Sequence, residues 1–280
     1  MLSREAIQDA YVAACRAEID ALKPGNVHRF ADGHRMTVDE FLISAHVSAP
    51  LLSDPKLSTG RRILEAVRAT RDAVKTNTNL GIILLCAPLA RAAELDLEQR
   101  SAVAQVLASM DLEDTKAAFK AIVLASPGGL GSAPSHDVRE EPQISLVQAM
   151  REAADRDMIA RQYATDFREV FETGVATLQA AQNRGEGGMW PTVFAYLAFL
   201  STFPDSHIAR KHGLRAAEKV RSEAQSLMAQ LTGIEEEAGK IRKLLEFDTR
   251  LKAEELNPGT SADLTVASLF AHNLSCNLHN

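Results

Sequence analysis

Strand signals are almost missing from this sequence, and that absence restricts the fold more than any other feature. Residues Ala121 to Ala125 form the best short apolar run in 280 residues, and a helix explains it equally well. Elsewhere apolar residues recur at helical intervals, as in Ile7, Tyr11, Ala14 and Leu22 on one side of a segment that Ser3 can cap. Ala and Leu recur throughout while aromatic residues make up only 5%. That balance favours helices packed closely through small side chains over a β-sandwich. The pattern predicts helices over 3–22, from Thr37, and over 58–75, 80–94, 97–110 and 112–125. It continues with 143–163, 165–183, 191–203, 206–231, 233–255 and 261–275. Lys23-Pro24-Gly25-Asn26 ends the first of these, and Thr37 with Glu40 has capping-box spacing at the second. The longest turn-rich stretch runs from Ser126 to Asp137. With no repeat, low-complexity tract or long linker, the expected architecture is a single compact all-α domain of many helices over residues 1–280.

The net charge is −6, and no stretch concentrates Lys and Arg with interleaved aromatics, so nucleic acid is an unsuitable partner. A small anionic ligand needs only a few local cations or helix N-termini and stays open. Cys15, Cys86 and Cys276 are too far apart for a zinc pattern and suit reduced thiols. The first twenty residues lack a signal peptide's uninterrupted apolar core. The longest apolar run, Leu80 to Ala90, is too short to span a bilayer and contains Pro88. The expectation is a cytoplasmic protein with no membrane contact. A homodimer suits an Ala-rich helical chain of this size, although no seam stands out.

Several polar residues do not fit their surroundings. Glu18 falls four residues after Ala14 and seven after Tyr11, on the apolar stripe of its helix. A carboxylate there must be paired, protonated or metal-bound; a structural salt bridge explains it slightly better than chemistry does. Asp263 lines up with Ala267, Phe270 and Leu274 behind the turn Asn257-Pro258-Gly259-Thr260-Ser261. There it could complement a helix N-terminus capped by Ser261, or hold Mg²⁺ beside an anion. Asn77-Thr78-Asn79-Leu80-Gly81 puts three polar side chains at the mouth of an apolar helix, more than capping requires. His136-Asp137 could orient a substrate or simply be solvated. Asp205-Ser206 opens a helix carrying Arg210 and Lys211, an arrangement common on helix surfaces. Arg156-Asp157 and Arg161 read by default as a surface ion-pair network.

Taken in order, these residues carry a resemblance. Glu18 with Lys23-Pro24-Gly25-Asn26-Val27-His28-Arg29, Asn77-Thr78-Asn79-Leu80-Gly81, Asp205-Ser206-His207-Ile208-Ala209-Arg210, and Asn257-Pro258-Gly259-Thr260-Ser261-Ala262-Asp263 resemble the motif series of the triphosphoribosyl-dephospho-CoA synthase family. The resemblance covers nearly the whole chain. It implies an all-α enzyme that takes ATP and 3′-dephospho-CoA, expels adenine, and joins the ribose C1 to a hydroxyl of dephospho-CoA, with Mg²⁺ as cofactor. It implies metal-binding or base roles for Glu18, Asp205 and Asp263. Substrate contacts would come from Lys23, Gly25, Asn26, His28, Arg29, Asn77, Thr78, Asn79 and Gly81, then His136, Asp137, Ser206, Arg210, Asn257, Gly259 and Ser261.

Two departures mark a divergent branch. Members of the family tend to carry Asn-Thr-His-Lys-Gly where this chain has Asn77-Thr78-Asn79-Leu80-Gly81, and Leu-Val-Asp after Lys-Pro-Gly where it has Asn26-Val27-His28. The lost cations suit a less highly charged substrate, or one that presents its phosphate differently. Such variants resemble a branch found beside genes for pterin- or furan-based one-carbon carriers, so a transferase or condensing enzyme of that kind is an alternative. A non-catalytic helical protein that kept the pocket is another. A metal-dependent hydrolase fits least, because His28, His34, His46, His136 and His207 are scattered.

Overall fold

A computed structural model describes residues 1–33, 36–126 and 137–278. Among them are fourteen α-helices and no strand, apart from isolated bridges between His28 and Ala31 and between Gly33 and Met36. The order is α1 (Arg4–Asp20), α2 (Val38–Leu52), α3 (Thr59–Val74), α4 (Leu80–Ala92), α5 (Gln99–Ser109), α6 (Leu112–Ala125) and α7 (Leu146–Ala153). Then follow α8 (Met158–Ala164), a π turn (Val170–Val175), α9 (Ala176–Asn183), α10 (Trp190–Thr202), α11 (Ser206–His212), α12 (Leu214–Thr232), α13 (Glu237–Ala253) and α14 (Gly259–Leu278).

Two helix starts follow their predicted caps, whereas α14 begins at Gly259 and takes Ser261, expected to cap it, into its first turn. The Ser3 hydroxyl accepts from the Ala6 amide, and Thr37 and Glu40 close a capping box. Three predicted helices are broken. The span 143–163 divides because Asp157 starts a new helix, accepting from the Ile159 and Ala160 amides. The span 165–183 opens instead with two left-handed residues, Asp166 (φ 52°) and Phe167 (φ 58°), and then the π turn. Its Gly174 lies so close to α14 that an added Cβ would fall 1.8 Å from the Ser268 hydroxyl. The span 206–231 breaks at Gly213, whose φ of 88° no side-chain-bearing residue adopts cheaply.

The buried apolar residues form two clusters. The larger gathers the first three-quarters of α1, most of α2 to α6, and the C-terminal part of α14. The smaller joins Ala21 and Leu22 to α10, α11, α12, α13 and Ala262. Helices α1 and α14 run antiparallel through both, pinned by an edge-on contact of Tyr11 with Phe270 at 5.7 Å. Glu18 lies two turns beyond Tyr11, and Asp263 two turns before Phe270. The antiparallel register therefore brings both carboxylates to the seam between the clusters. No described helix is long and apolar enough to cross a membrane.

Candidate active site

At that seam opens a cavity of about 1210 Å³, larger than a pocket for one drug-sized ligand. The mouth of α4, the start of α8, α11 and the N-terminus of α14 surround it, and Glu18 and Asn26 reach it from the end of α1 and the turn beyond.

The three acidic residues of the motif series have different surroundings. Glu18 is buried and its Oε1 lies 2.7 Å from Lys23 Nζ, itself wholly buried. Burial pushes the Glu18 carboxyl up, and Lys23 pulls part of that back. Burial likewise lowers the Lys23 ammonium, against the pull of Glu18. Asp263 lines the cavity with no hydrogen bond from any described residue. Burial raises its carboxyl well above the ordinary value, and the charges of Glu18 and Asp205 raise it further, with Arg210 opposing. Gly81 fits against this carboxylate, since an added Cβ would stand 2.1 Å from Asp263 Oδ2.

Asp205 is already committed. Its Oδ1 accepts from the amides of His207 (2.9 Å) and Ile208 (3.1 Å), and its Oδ2 accepts from the Ser261 amide and hydroxyl, both at 2.8 Å. Four donors fill the lone-pair sites of one carboxylate, so Asp205 ties the first turn of α11 to that of α14. Burial raises its carboxyl, and the bonds from Ser261, Ile208 and His207 work against that. The metal or base role expected for it has no free oxygen to use. Ser206 accepts from the Met158 amide at 2.9 Å, joining α8 to the same corner.

The Lys-Pro-Gly-Asn turn divides between the cavity and the interior. Asn26 faces the cavity and donates to Asn257 at 2.8 Å, while Lys23 stands behind Glu18. Gly25 has φ 84° and sits 2.8 Å, at an added Cβ, from Leu251 and Pro258. Its amide donates to Asp248 at 2.8 Å, and Tyr196 donates to the Pro24 carbonyl at 2.7 Å. His28 turns away from the cavity to Asp248, 3.2 Å from Nε2, and Lys252 lies 3.1 Å from the same carboxylate. Burial would raise Asp248, but His28, the Gly25 amide and Lys252 outweigh it and hold the carboxyl below its usual range. Burial lowers His28, against Asp248. Arg29 is on the surface, paired with Asp20 at 3.4 Å. His28 and Arg29 therefore do not frame the cavity, and Lys23 and Gly25 shape it from behind.

The polar mouth of α4 does face it. Asn77 Oδ1 accepts from the Leu80 amide, and Thr78 shares a 2.6 Å hydrogen bond with Ser44. The buried Asn79 amide nitrogen has no partner among the described residues. Asp137 and Gly259 also line the cavity, and an added Cβ on Gly259 would come 2.9 Å from the His207 ring. Ser261 faces Asp205, as described, and His136 lies outside the described residues.

Sequence reasoning missed Asp248, although it shares a stripe with Leu244 and Leu251, the same signal that exposed Glu18. It anticipated Arg210 but read Arg156 and Arg161 as surface ion pairs and did not single out Arg71. Arg71, Arg156, Arg161, Arg210 and Lys211 all border the cavity, so the loss of His and Lys from the α4 motif does not leave it short of cations. Among the described residues no group of three or more His, Cys, Asp or Glu is placed to hold a metal.

Comparison with known proteins agrees with this picture. The family described as ATP:dephospho-CoA triphosphoribosyl transferase matches residues 4–280. A relative from Stutzerimonas stutzeri (strain A1501), described as a probable 2-(5''-triphosphoribosyl)-3'-dephosphocoenzyme-A synthase, is 26% identical over 292 residues, covering 97% of this chain and 92% of that protein. No solved structure matches the chain.

Proposed function

We propose that this chain, which belongs to the ATP:dephospho-CoA triphosphoribosyl transferase family, transfers the triphosphoribosyl group of ATP to a hydroxyl of 3′-dephospho-CoA and releases adenine. The observation that carries the reading is the pairing of Glu18 and Asp263 across one large, cation-lined cavity. In the reaction the C1′–N bond to adenine breaks with its electron pair leaving on adenine. A bond forms from C1′ to the acceptor oxygen, and the acceptor's proton must go to a base.

Asp263 is the base in this scheme. Its carboxylate accepts no hydrogen bond from any described residue, and burial beside Glu18 raises its affinity for a proton, as a proton acceptor working near neutral pH requires. Glu18 stays ionised more readily because Lys23 is 2.7 Å away. That makes it the carboxylate suited to a divalent cation. One or two carboxylates plus substrate phosphates are a usual environment for Mg²⁺, so the residues present fit an ion that arrives with the triphosphate. Bound there, Mg²⁺ would neutralise polyphosphate charge. The unpartnered Asn79 amide offers a donor to a substrate oxygen, and Arg210 with Lys211 offers positive charge to the phosphates. Asp205, Ser206 and Ser261 hold the helix ends in register.

The cationic lining favours this reading over a weakly charged one-carbon-carrier substrate. Mass spectrometry of the protein incubated with ATP, Mg²⁺ and dephospho-CoA tests it. Free adenine together with the triphosphoribosyl adduct is the expected result. Folded protein that yields neither refutes it.

A further inference from the structure

Arg161 is held unlike the other cations of the cavity. Its Nε donates to Glu169 Oε1 at 2.8 Å, and its guanidinium lies over the Phe203 ring at 5.8 Å. Neither terminal nitrogen makes a hydrogen bond with any described residue, and both Arg161 and Phe203 line the cavity. A guanidinium anchored through Nε and lying over an aromatic ring keeps its two Nη groups as a fork. That fork matches a pair of phosphoryl oxygens.

Glu169 is itself locked. It is buried, and besides Arg161 it accepts from Gln162 Nε2 (2.9 Å) and Thr165 Oγ1 (3.2 Å). The chain turns back to α8 through Asp166 and Phe167, both left-handed at φ 52° and 58°, a turn that also buries Phe167 in the core. Two successive non-glycine residues in that region are strained, and such strain persists where the surroundings enforce it.

We propose that Arg161 is a phosphate-binding residue of the cavity, presented by Glu169 as a positioning residue. The ligand class is a di- or triphosphate, which both the donor and the acceptor of the reaction supply. The inference rests on the proposed function for the ligand's identity, but its test reads binding alone.

Calorimetric titration of the full chain with inorganic tripolyphosphate, ATP, dephospho-CoA and adenosine tests it, on R161K, R161Q and E169Q. R168K, at an exposed neighbour, is the control. Melting curves identify any variant that unfolds. R161K keeps the charge but loses the fork, and should weaken tripolyphosphate binding about tenfold or more, with adenosine unaffected. E169Q should give a smaller loss, and R168K none. A loss shared by ATP and spared by dephospho-CoA assigns the fork to the donor's phosphates, and the reverse assigns it to the acceptor's pyrophosphate. Folded R161K and R161Q that bind every probe within about twofold of the parent overturn the proposal, as does a parent chain that binds none of the phosphates. Phosphate binding that depends on Arg161 without any adenine release would refute the transferase reading and leave this one standing.

Discussion

Replacing Gly81 with Ala isolates the contact between α4 and the carboxylate of Asp263. Gly81 is the second residue of α4, where Gly→Ala ordinarily stabilises a helix by up to about 1 kcal/mol. Here the new methyl would lie 2.1 Å from Asp263 Oδ2, 2.6 Å from its Cγ and 2.7 Å from Ile159 Cδ1. Ordinary contact begins at 3.4 Å, so the carboxylate must retreat by about 1.3 Å. Overpacking of this kind costs about 1–3 kcal/mol, so the helix gain offsets part of the loss and the protein still folds. Turnover suffers far more, because misplacing a reacting group by about 1 Å can cost roughly 100-fold. Adenine release at saturating ATP, Mg²⁺ and dephospho-CoA, measured beside the melting temperature, separates the two effects. Gly187 serves as control, since an added Cβ there meets nothing within 4 Å. Turnover of G81A within about threefold of the parent would refute the placement of Asp263 at the reacting centre.

Three further outcomes follow from the same geometry. K23M leaves Glu18 as an unpaired buried charge and should cost about 3–5 kcal/mol in urea unfolding at neutral pH. That loss should shrink as pH falls, because burial raises the Glu18 carboxyl and removing Lys23 raises it further, and a pH-independent loss would refute the ion-pair account. Asp263 has its carboxyl raised by burial and by Glu18, so in the parent it removes stability as pH climbs from the ordinary carboxylate value through the raised one. D263N should therefore melt above the parent at pH 8, converge with it near pH 4, and release no adenine; equal melting at both pH values would count against the shift. D205N keeps one oxygen for the α11 cap but turns a donor towards the Ser261 amide, and should lose about 1–3 kcal/mol of stability. Folded D205N should show an unchanged Mg²⁺ requirement for adenine release, and a raised requirement would return Asp205 to the metal.

The all-helical fold was legible because helical periodicity and caps are local signals: Ser3, Thr37 with Glu40, and the Lys-Pro-Gly stop all act within a turn of where they stand. Glu18 and Asp263 were legible for the same reason, each out of place on an apolar stripe. That they face one another was not, since they are 245 residues apart and meet only through the antiparallel packing of α1 and α14, pinned by Tyr11 and Phe270. Neighbours in sequence also part company in space. Asn26 reaches the cavity, whereas His28 and Arg29 follow the tight turn at Gly25 away from it. The Arg161–Glu169 pair was hidden more deeply. Asp166 is a residue that tolerates left-handed backbone, but the bulky Phe167 beside it gives no such signal, so the segment reads as continuous helix.

The energetics of the seam argue against a merely structural protein. Replacing a buried ion pair such as Glu18–Lys23 with well-packed apolar side chains is often neutral or stabilising, and the flanking positions Ala14, Ile19 and Leu22 already provide an apolar setting. Asp263 is costlier still, because no described residue donates to it and three other carboxylates, Glu18, Asp205 and Asp157, raise its proton affinity. A scaffold would shed both carboxylates. A transferase can use the difference between them: the rise of one carboxylate is checked by a buried lysine, and the other has no donor among the described residues. Separating two carboxylates in this way is how a single pocket assigns one to charge and the other to the proton.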